Sequence, residues 1–223
     1  MDTIKKNLLQ LQEEIKQKSE HCTPNIIAVT KYFDETKIIE AYEAGLRDFG
    51  ESRVIEAVEK INKLPQEIRD NSRFHFIGHL QANKVAKAIG NFDLIHSIDS
   101  LKLAKVVSGE AIRKGLKQKV LLQVNNAREE QKSGFLKEEL FEEFPEIMKL
   151  EGIQVVGLMN MAPFGVSEET LRHLFEDVVK IKNELQVRFD CELKEISMGM
   201  SGDYKEAVVA GATMIRIGRK LFS

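Results

Sequence analysis

Lys31 closes the run Ile26-Ile27-Ala28-Val29-Thr30-Lys31, an apolar, β-branched stretch that reads as a buried strand. A helix is expected to begin just beyond it, at about Asp34. A desolvated lysine at a strand end can lose its proton and attack a carbonyl, which would make Lys31 a Schiff-base residue. Taken alone, it is better read as a lysine whose stem lies on the strand end and whose ammonium reaches solvent. Two further segments change the balance. Ser197-Met198-Gly199-Met200-Ser201-Gly202-Asp203 precedes a helix, and Gly218-Arg219 follows the apolar run Met214-Ile215-Arg216-Ile217. Glycines let a backbone approach an anion, and a helix start offers unpaired N–H donors. Ser201 adds a hydroxyl, although Ser-Gly-Asp is by itself more commonly a helix cap and turn. Arg216 lies inside an apolar strand, where a permanent charge needs partners. It could hold Glu195 as an ion pair, or face a ring nitrogen or phosphate of a bound cofactor. A carbonyl-seeking lysine, a phosphate cup and a buried cation suit pyridoxal 5′-phosphate (PLP). A phosphosugar aldolase would present the same lysine and phosphate loops.

These residues need a scaffold that brings distant segments to one mouth. Leu8, Leu11 and Ile15 mark an opening helix. Strands are then expected at 26–31, 46–49, 74–77, 92–96, 120–124, 153–158, 193–197 and 213–217, with a helix between each pair. Uninterrupted alternation gives a parallel sheet with right-handed crossovers, and eight units close into a (β/α)8 TIM barrel. The second strand is the weakest, so an open doubly wound sheet is the rival. The opening helix would cover the gap after the eighth strand. No Pro-rich or Gly/Ser-rich linker divides the chain, so residues 1–223 read as a single domain. In such a barrel, the loops after strands seven and eight often bind phosphate, at the strand ends that also carry Lys31.

Composition narrows the function classes. A net charge of −2 gives no electrostatic reason to expect nucleic acid or a membrane surface. No apolar run approaches a membrane span, and the segment from Met1 lacks an apolar signal core. Cys22 and Cys191 are far apart and read as free thiols in the cytosol, not as a metal site. His75, His79 and His96 match no metal spacing and read as packing or capping residues. Met159, Met161, Met198 and Met200 read as core filler, with Met200 close enough in sequence to Ser201 to touch a bound ring. Lys84, Lys87 and Lys102 read as a solvated face, as does the Glu-rich helix from Glu138 to Glu146. With no exposed apolar patch identified, a monomer is expected.

The ordered segments Ala28-Val29-Thr30-Lys31, Phe49-Gly50-Glu51, Phe74-His75-Phe76-Ile77-Gly78-His79-Leu80-Gln81, Ile95-His96-Ser97-Ile98-Asp99-Ser100, Gln123-Val124-Asn125, Ser197-Met198-Gly199-Met200-Ser201 and Arg216-Ile217-Gly218 carry a resemblance. Through them, and over nearly its whole length, the chain resembles the pyridoxal phosphate homeostasis protein family. The resemblance implies a single barrel like the N-terminal domain of alanine racemase. It implies PLP held as an internal aldimine on Lys31, its phosphate on Ser201, Gly218 and the Arg219 backbone, and its pyridine nitrogen facing Arg216. Two departures stand out. Ser52 occupies a position where the family usually has an asparagine near the cofactor, and the chain ends Phe222-Ser223 instead of Phe-Gly.

The chemistry implied is restrained. A pyridine nitrogen facing Arg216 stays unprotonated, because arginine does not give up its proton, and the ring is then a weak electron sink. Alanine racemase adds a second domain and a tyrosine base from a subunit interface. This chain is too short for that domain, and Tyr32, Tyr42 and Tyr204 offer no evident counterpart. The expectation is a non-enzymatic PLP-binding protein of intracellular vitamin B6 homeostasis, with PLP-dependent apo-enzymes as the partners it would serve. The alternative is a racemase-like enzyme of low activity.

Overall fold

In the computed structural model, which describes residues 3–19, 22–129 and 131–223, eight parallel strands close into a barrel. They are β1 (Asn25–Val29), β2 (Asp48–Glu51), β3 (Arg73–Phe76), β4 (Leu94–Ile98), β5 (Gln118–Val124), β6 (Ile153–Asn160), β7 (Glu195–Met200) and β8 (Met214–Ile217). Each pairs with its sequence neighbour, and β1 pairs with β8, Asn25 opposite Met214 and Ala28 opposite Ile217. The rival open sheet is thereby excluded. Met1 and Asp2 of the opening segment lie outside the described residues.

The helices are α1 (Thr3–Lys18), α2 (Glu35–Glu43), α3 (Val54–Lys63), α4 (Gln66–Asp70), α5 (Val85–Ala88), α6 (Leu101–Arg113), α7 (Lys137–Met148), α8 (Glu168–Phe189), α9 (Tyr204–Ala210) and α10 (Arg219–Phe222). Their ends follow local chemistry. Asp34 accepts a hydrogen bond from Thr36 N at the start of α2, Ser100 from Leu103 N at α6, and Ser167 from Thr170 N at α8. Gly211, at φ +100°, supplies the left-handed residue that ends α9.

Strand alternation divides the apolar residues into two sets. Ile27, Leu94, Leu121, Met159 and Met214 form a small cluster inside the barrel. Their outward neighbours, such as Ala28, Ile95, Leu122, Leu158, Ile215 and Ile217, join the larger cluster under the helices. Gly157 is needed where β6 meets β7, since a Cβ there would fall 1.8 Å from the Glu195 carbonyl oxygen.

Several elements differ from the sequence expectation. The first strand ends at Val29, two residues before Lys31, because the chain turns through 31–33 into α2. The second strand is 48–51, not 46–49: the chain leaves α2 through Gly45 (φ +109°), and Leu46 is buried as connector. The short helices α4 and α10 had no periodic pattern to reveal them. Thus a helix does follow β8, and α1 packs beside α9 and α10 instead of filling a vacancy.

Candidate functional site

The C-terminal ends of the strands form the mouth. Lys31 is exposed there, as the reading of a lysine reaching solvent from a strand end expected, and its Nζ lies 5.0 Å from the centre of the Tyr32 ring. What precedes it is rigid. Thr30 is fully buried and donates to Glu51 Oε1 at 2.6 Å. Lys60, on α3, reaches under the mouth and donates to Glu51 Oε1 at 2.7 Å and to the Thr30 carbonyl at 2.9 Å. A buried ion pair of this kind persists only when its hydrogen bonds are complete, and here it pins the residue before Lys31.

Lys31 and Ser52 share a cavity of about 290 Å³ with Gly78, His79, Gln123 and Lys132. Gly78 allows the β3 loop to touch the β2 loop: a Cβ there would lie 2.3 Å from the Ser52 carbonyl oxygen. One wall is the loop after β5. Asn125 holds it by donating to the Glu129 and Lys132 carbonyls at 2.9 and 3.1 Å, and Gln123 donates to the Ser133 carbonyl at 2.7 Å. Lys132 pairs with Glu129 and donates to the Ala162 carbonyl at 3.1 Å.

Ser201, Arg216, Gly218 and Arg219 do not line that cavity; they stand on the adjoining β7–β8 side. Gly218 follows β8 beside the end of β1, where a Cβ would meet Val29 at 3.5 Å, so its loop neighbours that of Lys31. Ser201 Oγ accepts from Gly218 N at 3.3 Å and from Lys220 N at 3.5 Å. Both bonds are long, and donors held this loosely suit exchange for an anion oxygen. Open space lies beside Gly202. Asp203 accepts from Met200 N at 2.5 Å and tightens the turn after β7.

Arg216 points into the barrel and is 4% exposed. It does not pair with Glu195, which instead accepts from Thr213 Oγ1 at 2.6 Å. Its acceptors are neutral: Ser197 Oγ at 2.7 Å and the Asn160 carbonyl at 2.8 Å. Burial pushes its pKa down to about 10, partly offset by the charge of Asp203, so it stays a cation at neutral pH. The Asn160 side-chain oxygen is buried without a hydrogen-bond partner.

The histidines do more than pack or cap. His75 Nδ1 and His96 Nε2 are 3.0 Å apart, His96 Nδ1 is 2.9 Å from Ser197 Oγ, and His75 Nε2 is 2.9 Å from Asp48 Oδ1. Arg73 then binds Asp48 through Nε and Nη2, each at 2.7 Å. Burial raises the Asp48 pKa, but the hydrogen bonds from His75 and Arg73 outweigh it and hold it below the usual carboxylate value. Burial, with the Arg216 charge nearby, pushes His96 well below the usual imidazole value. His79 is separate: it faces Asp99 at 3.3 Å and Ser133 at 3.3 Å at the exposed mouth. Among the described residues no cluster of potential metal ligands occurs, both cysteines are free, and no helix is long and apolar enough to cross a membrane.

Sequence reasoning missed Glu51, Lys60, Asp48 and Ser197. Asp48 and Ser197 face inward, but nothing local paired Asp48 with Arg73 and His75 on β3, or Ser197 with Arg216 on β8 and His96 on β4.

Comparison with known proteins agrees with this geometry. The family model described as alanine racemase, N-terminal domain, matches residues 1–223. A pyridoxal phosphate homeostasis protein of Synechocystis sp. is 40% identical over 88% of this chain and 89% of its own length. That of Homo sapiens is 35% identical over 89% of this chain and 76% of its own. The structure of PipY from Synechococcus elongatus, with PLP bound, superposes with a TM-score of 0.87 at 36% identity, covering 99% of this chain and 100% of that one. Alanine racemase of Clostridium difficile shares the fold, with a TM-score of 0.74 at 20% identity, and this chain spans 56% of it. The chain therefore belongs to the family built on the N-terminal domain of alanine racemase and, within it, to the pyridoxal phosphate homeostasis proteins.

Proposed function

We propose that this protein binds PLP at the barrel mouth and manages its supply inside the cell, without serving as an efficient enzyme. The observation that carries this is the meeting of three strand ends: the exposed ammonium of Lys31 after β1, the loosely held hydroxyl of Ser201 after β7, and the glycine-led turn of Gly218 and Arg219 after β8. Bound PLP would supply an aldehyde that condenses with a primary amine. Lys31 is the amine, Ser201 with the Gly218 and Arg219 backbone would receive the phosphate, and Arg216 would face the ring nitrogen. Ser52 lines the cavity it shares with Lys31, where its hydroxyl would be available to the ligand.

The non-enzymatic part rests on Arg216. A buried guanidinium can donate a hydrogen bond to the ring nitrogen but does not protonate it, so the protein provides little electron withdrawal. PLP-dependent apo-enzymes in the cytosol are the recipients such a protein would serve, and a monomer suffices for the site.

The purified protein with PLP should show an absorption band that borohydride fixes, and peptide mass spectrometry should place the reduced adduct on Lys31. Lys31→Ala should lose the adduct and keep its fold by circular dichroism. An adduct on another lysine would overturn the assignment. Amino-acid racemisation or transamination at about 1 per second or faster would overturn the supply role.

A further inference from the structure

The hydrogen-bond chain through the barrel has a direction that its two ends dictate. Arg216 can only donate, so Ser197 Oγ accepts from it. The Ser197 hydroxyl must then give its own proton to His96 Nδ1. His96 consequently carries its proton on Nε2 and donates to His75 Nδ1. His75 carries its proton on Nε2 and donates to Asp48, an ionised carboxylate that can only accept. Every link is filled once, with both imidazoles neutral. One extra proton on His75 would reverse His96, and the Ser197 hydroxyl would then face two donors. Its own proton would be buried without an acceptor, a costly arrangement.

The chain also has two addresses. At the mouth it ends on Arg216, whose guanidinium is locked by Ser197 and the Asn160 carbonyl. At the opposite end, Asp48, Arg73 and His75 line a separate cavity of about 620 Å³ at the barrel floor. A buried histidine pair crossed edge to face, with ring centres 5.2 Å apart, bridges the two ends.

We propose that Asp48, His75, His96 and Ser197 are positioning residues for Arg216, a one-way relay that fixes its guanidinium as the oriented, charged donor toward the cofactor's ring nitrogen and ties that role to an anchor at the barrel floor. The inference rests on the PLP-binding reading above. It assigns work to four interior residues that packing alone would not require, since Ile27, Leu94, Leu121, Met159 and Met214 pack the same interior with apolar side chains.

Nitrogen-15 NMR of the histidine side chains in cofactor-free protein tests the direction. The direction requires the proton of His96, and that of His75, to sit on Nε2. A proton on His96 Nδ1, or a doubly protonated His75, would overturn the relay. The second arm compares PLP with its carbon analogue, in which CH replaces the ring nitrogen. Asp48→Asn lies far from the mouth and offers His75 both a donor and an acceptor, so the direction is no longer dictated. It should weaken PLP binding about three- to ten-fold and leave the analogue unchanged. Should Asp48→Asn not fold, Ser197→Ala cuts the relay beside Arg216 and must give the same split. Equal loss for both ligands, or loss for neither, would show a purely structural network. A wild-type protein that forms no adduct with PLP would sink the binding reading instead, and the histidine signals of the cofactor-free protein would still report the relay's direction.

Discussion

Ser201 joins two loops through hydrogen bonds of 3.3 and 3.5 Å that an arriving phosphate could replace. Ser201→Ala should therefore weaken PLP binding by about 1–2 kcal/mol, the worth of one hydrogen bond to an anion. Unphosphorylated pyridoxal should hardly notice. Titration of both ligands checks this, and equal weakening would place the hydroxyl away from the phosphate. Single residues were unevenly legible in the sequence. Arg216 announced itself as a charge in an apolar strand, and it is indeed buried. Its neighbours were not legible, because Glu195 and Ser197 share the adjacent strand β7 and the sequence does not say which of them faces Arg216, while Asn160 lies two strands away on β6. The histidines showed the same limit. They read as packing or capping residues, and only the side-by-side pairing of β2, β3 and β4 sets His75 against both His96 and Asp48.

Lys60 shows how an element can serve a site it does not reach. Its side chain is 8% exposed and ties α3 to the ends of β1 and β2. Lys60→Met should cost about 3–5 kcal/mol in urea unfolding, since it strands the buried Glu51 carboxylate. Lys60→Met with Glu51→Gln should recover part of that loss. PLP binding should stay weakened in the double variant, because the Thr30 carbonyl is still unpinned beside Lys31. Full recovery of binding would deny the positioning role. Element order was largely legible because eight apolar runs alternate with helical periods, and a parallel barrel is the economical way to close them. Boundaries at the mouth were not. Lys31 prolongs an apolar run in sequence but lies in a turn, where tertiary contacts at Thr30, not strand propensity, stop the sheet. The short helices α4 and α10 are set by packing and span too few residues to show a period.

The molecule's ends are fastened to each other. Glu14 of α1 accepts from Lys220 at 2.8 Å and from Tyr204, and Asn7 donates to the Leu221 and Ser223 carbonyls at 3.1 and 2.9 Å. The Lys220 and Tyr204 hydrogen bonds hold the Glu14 pKa at about 2, below the ordinary 4.5. A depressed carboxylate pKa stabilises the fold above the ordinary value and loses that contribution as pH falls through the native one. Wild type should thus exceed Glu14→Gln by roughly 1–2 kcal/mol at neutral pH, allowing for solvent screening. The gap should shrink as pH drops from 4.5 to about 2. Urea unfolding across that window checks the sign, and a constant gap would refute it. The pairing of β1 with β8 carries one more consequence, for the order of events during folding. Asn25 meets Met214 across nearly the whole chain, the most distant strand contact in the ring and the one with the greatest loop-closure cost. The same closure brings Gly218 against Val29, two residues before Lys31. A chain still emerging from the ribosome, or a barrel missing its last strand, would have the lysine but no cup. With the proposed site, capture of the aldehyde would be deferred until the ring is complete, and ligand binding would then reinforce the last seam to form.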